Sequence, residues 1–173
     1  LGSLDQALAS TFKALELRPD NDDALINLGG IYQELDKHDQ AIAYTLKCLE
    51  INPNNAAAHL QKGILDLYQG KIKEAKLSFI ESLSLEEQIP RCHMYLGIAE
   101  YLLGNYLQAG KHASKELASD SECWEAEILD KLIAKKIYAK NPTNKCNEQS
   151  RKDKNSYPFV GSRAVEQELI SAL

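Results

Sequence analysis

Apolar side chains recur every three or four positions in a succession of short segments, which is typical of helices that bury one face. The first of these stripes consists of Leu4, Leu8, Phe12 and Leu15. Prolines or polar clusters separate the segments, as at Pro19 and at Asn52-Pro53-Asn54-Asn55, and such residues end helices and begin turns. The pattern therefore predicts a chain of short amphipathic helices.

Small residues return along the chain with a period of 34. We call each position of the 34-residue repeat a slot. One slot holds Gly29, Gly63 and Gly97, and a second holds Ala7, Ala41, Ala75 and Ala109. A third slot holds Gly2, Gly70 and Gly104, with Asp36 in the place of a glycine. Self-similarity at this period indicates an array of stacked helix hairpins.

The breaks between segments predict about three and a half repeats, followed by other elements. The predicted units are the second helix of a truncated repeat (1–21), three full repeats (22–55, 56–89 and 90–121), a capping helix (122–140), a basic linker (141–155) and a tail with a short amphipathic helix (156–173). The linker is polar and poor in apolar residues, so we do not expect it to bury enough surface to order itself.

At these slots the chain resembles the tetratricopeptide repeat family over about residues 1–121. In the second unit the matching residues are Leu25, Leu28, Gly29, Tyr32, Ala41, Cys48 and Pro53. Gly29 and Ala41 remove side-chain bulk where two helices cross, which lets their axes approach closely. The resemblance implies an all-α fold, a right-handed superhelix of antiparallel hairpins whose concave groove binds peptides or protein segments.

In that family the first helix of each hairpin lines the groove. The corresponding positions here are Ile26, Gly30, Gln33, Leu60, Ile64, Leu67, Tyr68, Met94, Ile98 and Tyr101. Members that hold a C-terminal carboxylate use Lys, Arg and Asn at such positions, and none of these residues is present at them. We therefore expect an apolar or amphipathic ligand, held by buried area and oriented by tyrosine hydroxyls.

The sequence is compatible with several occupants of such a groove. A separate protein partner, the chain's own tail at 157–173 and a second copy of the chain each fit an apolar strip, because large exposed apolar patches mark interaction sites. The groove residues can also pack against neighbouring helices and leave little surface open.

The charge is unevenly distributed. Residues 1–130 carry 11 basic and 21 acidic side chains, whereas residues 131–154 carry 8 basic and 2 acidic ones. The basic segment lacks interleaved aromatic residues and any nucleic-acid-binding module, so it predicts a solvated helix end and linker. We expect no nucleic-acid partner. There is also no apolar run of about 18 residues, which predicts no membrane span.

Four cysteines, Cys48, Cys92, Cys123 and Cys146, are scattered without a CxxC pair or metal-ligand spacing. This arrangement predicts reduced and mostly packed thiols rather than a disulfide framework or a zinc site. Reduced thiols are typical of cytosolic proteins, so we expect a cytoplasmic location.

The histidines do not predict a metal site. His59 and His93 share a slot on adjacent hairpins, too far apart for both to reach one ion at about 2 Å. His38 and His112 are predicted at the surface. No catalytic triad order, nucleotide-binding loop or metalloprotease motif is present. The sequence therefore predicts no enzyme activity, no cofactor and no metal within this chain.

The repeats and the apolar groove predict a protein-interaction module that acts as a scaffold or adaptor. An alternative is the non-catalytic arm of a larger enzyme. The segment SYPFVGSRAVEQELISAL (156–173) resembles the junction that follows such repeats in some bacterial proteins with an iron-dependent oxygenase-like domain. The catalytic domain would then lie beyond Leu173, and the groove would dock the chain's own tail. A third hypothesis is self-association through the repeat face at the N-terminus.

Overall fold

A computed structural model of the chain describes residues 2–140, with side chains described within residues 4–136. The predicted linker at 141–155 and the predicted tail at 156–173 lie outside the described residues, and so does the tail docking that the sequence suggested.

Residues 2–140 form helices and no strands, which confirms the predicted all-α fold. The helices are α1 (Gly2–Leu17), α2 (Asp22–Glu34), α3 (His38–Ile51), α4 (Ala56–Tyr68), α5 (Ile72–Leu85), α6 (Cys92–Leu102), α7 (Tyr106–Ser119) and α8 (Trp124–Lys140). The most extensive contacts join α2 to α3, α4 to α5 and α6 to α7, so these pairs are the hairpins of the array.

The turn inside each hairpin uses one left-handed residue, and these residues are 34 positions apart. Asp36 has φ 56°, Gly70 has φ 72° and Gly104 has φ 80°. Glycine adopts this conformation freely because it has no Cβ. Asp36 adopts it at some cost, since aspartate is among the few other residues that visit this region.

The first helices of the hairpins begin with two different kinds of cap. Asn21 Oδ1 accepts a hydrogen bond from Ala24 N at 3.2 Å, and Asn55 Oδ1 accepts one from Ala58 N at 2.9 Å. These are N-caps, which satisfy backbone donors that the helix leaves unpaired. The N-cap residue of α6, Arg91, makes no such side-chain bond.

The start of α6 is capped instead by a carboxylate from α7. Glu116 accepts hydrogen bonds from Arg91 N at 2.9 Å and from Met94 N at 3.2 Å, and its side chain is buried. A negative charge at a helix N-terminus is favourable, because the exposed N–H groups carry partial positive charge. This contact explains an acidic residue at a slot that holds Cys48 in the first full repeat.

The apolar core is concentrated toward the C-terminal half of the described chain. Its largest cluster includes Phe79, Met94, Leu96, Ile98, Leu129 and Ile133, contributed by α5, α6 and α8. A smaller cluster at the N-terminal half consists of Leu25, Cys48 and Ala58. Because α8 packs on both α6 and α7, α6 is enclosed whereas α2 is open on one side.

Within residues 2–140, no helix combines the length and the apolar character that crossing a bilayer requires.

Candidate functional site

The first helices of the hairpins form one continuous face. Helix α4 contacts both α2 and α6, and α6 contacts α8. Among residues 2–140, the second helices α1, α3, α5 and α7 make no comparably extensive contacts with one another. The first helices therefore approach each other more closely than the second helices do, which places them on the inside of the curve.

A shallow cavity of about 260 Å³ lies on this inner face between α2 and α4. We call it the α2–α4 groove, and it is lined by Ile26, Asn27, Gln33, Ala57, Leu60, Gln61 and Ile64. Four of these, Ile26, Gln33, Leu60 and Ile64, are residues that the sequence predicted for the site, and all four are half-buried. No lining side chain is charged.

The apolar walls of the groove are fixed by the core beneath them. Ile26 packs against the cluster of Leu25 and Cys48, whereas Leu60 and Ile64 pack against the large cluster. Each of these side chains therefore has one buried side and one side that is open to the groove. Such a surface needs little reordering to bind a ligand, because its side chains are already held in place.

The polar part of the groove is fixed by a buried hydrogen bond. Thr45 on α3 donates from Oγ1 to Gln61 Oε1 at 3.2 Å, and the side chain of Gln61 is buried. Gly30 lies beside it, and a Cβ at that position would be 3.6 Å from Gln61 Nε2. A side chain at Gly30 would therefore be in ordinary van der Waals contact with the amide end of Gln61.

Two predicted site residues on α4 lie at the end of that helix, outside the groove lining. Leu67 is buried in the large core cluster. Tyr68 is half-buried, and its ring stacks on the imidazole of His38 with 5.0 Å between centroids. The stack ties α4 to the start of α3, and it places Tyr68 at the margin of the inner face.

The predicted site residues of α6 are covered. Met94 is 1% exposed, Ile98 is 4% exposed and Tyr101 is 6% exposed. The reason is that α6 packs against α4, α5, α7 and α8 together, so its inner side belongs to the core. The structure therefore brings the α2 and α4 residues together in an open depression and leaves the α6 residues inside.

Sequence reasoning missed three residues of the groove lining, Asn27, Ala57 and Gln61. Asn27 and Gln61 are 34 positions apart, so they share one slot of the repeat, next to the slot of Ile26 and Leu60. A prediction that included the residues flanking the expected groove residues would have found Asn27 and Gln61.

A larger cavity of about 650 Å³ lies elsewhere, between α7 and α8. It is lined by Tyr106, Leu107, Gly110, Lys111, Ser114, Lys115, Asp130, Ile133 and Ala134. Leu107 is 76% exposed and occupies a slot that holds Asp39 and Lys73 in the preceding hairpins. That change of residue type is the sequence signal for this second depression, which was not predicted.

The cysteines within the described residues are not reactive thiols. Cys48, Cys92 and Cys123 are free and buried. Burial raises the pKa of the Cys48 thiol and of the Cys92 thiol to about 11, so both stay protonated and poorly nucleophilic near neutral pH. Within the described residues, no group of three or more His, Cys, Asp or Glu side chains is arranged to hold a metal ion.

Hairpins repeated every 34 residues, with glycine at the helix crossings and first helices on the inner face, define a helical repeat protein with an open groove. Residues 22–55 match the family model described as "Tetratricopeptide repeat", which confirms the resemblance found in the sequence, and the chain has the fold of tetratricopeptide repeat proteins.

Three solved structures illustrate the similarity of fold. PilF from Pseudomonas aeruginosa gives a TM-score of 0.70 at 22% identity, over 80% of this chain and 63% of that one. The first repeat domain of Spaghetti (RPAP3), bound to the HSP90 peptide SRMEEVD, gives 0.63 at 19%, over 67% and 94%. YrrB, described as having an unusual peptide-binding site, gives 0.66 at 20%, over 73% and 66%. No curated protein sequence matches the chain.

Proposed function

We propose that this chain is a protein-interaction module whose α2–α4 groove binds an apolar or amphipathic segment of another protein. The observation that supports it is the composition of the groove. Ile26, Leu60 and Ile64 present half-buried apolar surface on the concave side, and no charged side chain lines the depression. The proposed activity is binding rather than catalysis.

The dimensions of the groove indicate how a ligand would be held. Pockets for drug-sized molecules are about 300–1,000 Å³, so a depression of about 260 Å³ suits one or two apolar anchor side chains. The amides of Asn27 and Gln33 lie at its edge, and each offers both donors and an acceptor. They can pair with the backbone of an extended or helical segment and so orient it.

The ligand should differ from the acidic peptide in the structure of Spaghetti. That peptide, SRMEEVD, carries three acidic side chains, which basic partners would stabilise. The lining of the α2–α4 groove has no Lys or Arg to pair with them. The description of YrrB as a repeat protein with an unusual peptide-binding site supports the view that the shared fold accommodates different ligands.

We propose the cytoplasm as the compartment, which the free, buried thiols of Cys48, Cys92 and Cys123 support. We propose a protein partner and no nucleic acid, because the inner face offers an apolar depression rather than a basic one. No observation among the described residues or the comparisons favours the alternative of an arm attached to a catalytic domain.

The test begins with selection of peptides from a random phage-displayed library on the full chain. We expect selected sequences rich in Leu, Ile, Val or Phe, with no requirement for a C-terminal carboxylate. Synthetic copies should bind at least about tenfold more weakly to the double variant Leu60→Glu, Ile64→Glu, since burial of two such side chains contributes more than 1.4 kcal/mol.

Two controls make the result specific. Leu77→Glu changes a 67% exposed leucine on α5, away from the groove, and should leave affinity unchanged. Ile26→Gln is a milder groove change that should weaken binding if the double variant loses helix content by circular dichroism. Selected peptides that bind the groove variants as well as the wild type would overturn the proposal. If the molecular mass from sedimentation rises with concentration for the wild type but not for the groove variants, a second copy of the chain is the occupant instead.

A further inference from the structure

Two histidines face each other across the third hairpin, away from the α2–α4 groove. His93 lies on α6 and His112 lies on α7, and their Nδ1 atoms are 3.2 Å apart. The rings are roughly parallel, with centroids 5.3 Å apart and planes inclined by 28°. Both residues are half-buried, so His112 is not the open surface residue that its position in the sequence predicted.

The helix crossing holds this pair in place. Gly97 lies on α6 where α7 passes closest, and a Cβ there would be 3.3 Å from Ala109 O and 3.4 Å from His112 Cβ. The backbone that carries His112 is therefore pressed against α6. The packing of the hairpin thus sets the separation of the two helix backbones that carry the imidazoles.

The contact between the two Nδ1 atoms is a hydrogen bond, in which the tautomer decides the donor. When both rings carry their proton on Nε2, both Nδ1 lone pairs are free, and the separation of the nitrogens then fits a shared metal ion. Zinc–imidazole bonds are about 2.1 Å long, and two nitrogens at that distance from one ion and 3.2 Å from each other subtend about 100° at the ion. This angle lies between that of neighbouring ligands in a square plane and that of a tetrahedron, the arrangements that Cu²⁺ and Zn²⁺ prefer. Neutral imidazole is a common ligand for both ions.

The charges around the pair do not oppose a cation. Lys115 and Lys76 are the basic groups that act on the two rings, whereas Glu87, Glu100 and Glu116 are the acidic ones. Binding of a metal ion needs both rings in the neutral form, with the lone pair of each Nδ1 free.

We propose that His93 and His112 together bind one divalent transition-metal ion, Zn²⁺ or Cu²⁺, through their Nδ1 atoms. No third protein ligand is arranged around them in the described part of the chain, so water or an external donor fills the remaining positions. The ion would join α6 to α7 and stabilise the third hairpin, because an ion that binds only the folded chain shifts the folding equilibrium toward it.

The test is calorimetric titration of the full chain with ZnCl₂ near pH 7, with thermal unfolding followed in parallel. We expect one equivalent of Zn²⁺ to bind and to raise Tm. His93→Ala and His112→Ala should each weaken this binding by more than about tenfold. His59→Ala is the matched control, since His59 bonds through Nε2 to Pro53 O on another hairpin, and it should bind as the wild type does.

Nuclear magnetic resonance of the imidazole nitrogens keeps the proposal testable if either alanine variant folds poorly. In the wild type, Zn²⁺ should shift the Nδ1 resonances of His93 and His112 together and leave His59 unchanged. Absence of binding at one equivalent, or equal binding by the His93→Ala, His112→Ala and His59→Ala proteins, would overturn the proposal. Shifts confined to other histidines would overturn it as well.

Discussion

Thr45 donates a hydrogen bond to the side-chain oxygen of Gln61 at 3.2 Å, across the contact between two successive repeats. The equivalent positions one repeat later, 34 residues on, are Phe79 and Tyr95, whose rings stack with centroids 5.9 Å apart. The same place in the array is thus occupied by a polar pair in one repeat contact and by an aromatic pair in the next. The polar pair is the one that borders the α2–α4 groove.

Gly29 leaves room for this polar pair, and Gly29→Ala should therefore destabilise the protein. An added Cβ would lie 2.6 Å from Gln61 Oε1 and 2.9 Å from Thr45 Oγ1, which forces both side chains to move. We expect the free energy of unfolding to fall by about 1–3 kcal/mol in urea titrations. Gly30→Ala is the control: the nearest atom would be 3.6 Å away, and alanine favours the helix by about 0.5–1 kcal/mol. Equal effects of the two changes would contradict this account of Gly29.

Asp36→Gly should stabilise the first full hairpin. Asp36 has φ 56°, a conformation that costs L-residues roughly 1–2 kcal/mol and glycine little. Glycine offsets part of this gain, because it raises the conformational entropy of the unfolded chain. We expect a net gain of about 0.5 kcal/mol, measured by thermal and urea unfolding. Gly70→Ala tests the same slot in reverse. Nothing lies within 4 Å of a Cβ there, so any loss of stability comes from the backbone alone.

Glu116→Ala should be among the more destabilising changes in the third hairpin. Cys48, Ser82 and Glu116 occupy one slot, and Cys48 and Ser82 each bond to the backbone at the start of the preceding helix of their hairpin. Glu116 also bonds to the start of the preceding helix, but its carboxylate accepts hydrogen bonds from Arg91 N and Met94 N. Losing it leaves these donors unpaired, at a cost of about 1–3 kcal/mol.

The control for Glu116 is Glu122→Ala, an exposed acidic residue before α8 that should change stability by no more than about 0.5 kcal/mol. Helix content and urea midpoints of the two variants give the comparison. A Glu116→Ala protein as stable as the Glu122→Ala protein would show that the buried carboxylate is not a cap.

Asp22 should make stability depend on pH under acidic conditions. Hydrogen bonds from the Asn52 side chain at 2.6 Å and the Asn55 side chain at 3.2 Å lower the pKa of its carboxyl group. A lowered folded-state pKa gives stabilisation that is present above the unfolded value of about 3.9 and lost as pH falls through the folded value. Asp22→Ala should therefore cost stability at pH 7 and much less at pH 2 to 3. An equal cost at both pH values in urea titrations would contradict this role.

The period of 34 was enough to predict the hairpin array, because helix crossings and tight turns demand small or left-handed residues at fixed positions. Even the exception was predictable: Asp36 stood at a glycine slot in the sequence and is left-handed in the structure. The accessibility of the site was harder to predict. The slots of Ile26 and Leu60 are open, but the equivalent Met94 is enclosed, since burial there depends on how α8 packs against α6.

The pairing of His93 with His112 was also beyond the sequence pattern. A period of 34 relates residues in the same slot of different repeats, and it placed His93 with His59. The structure pairs His93 with a residue in a different slot of the same hairpin, because the rotational phase of α7 against α6 decides which side chains meet. Gly97, which sets that close approach, was visible in the sequence, but its effect on His112 was not.

The most direct test of the binding proposal is to map where a selected apolar peptide contacts the full chain. Backbone amide resonances recorded during titration separate the two depressions, since α2 and α4 line one and α7 and α8 line the other. We expect the shifts to concentrate at residues 26–33 of α2 and 57–64 of α4, and to disappear in the Leu60→Glu, Ile64→Glu protein. Shifts concentrated at Leu107, Lys111 and Ile133, with α2 and α4 unchanged, would contradict the assignment of the α2–α4 groove as the binding site.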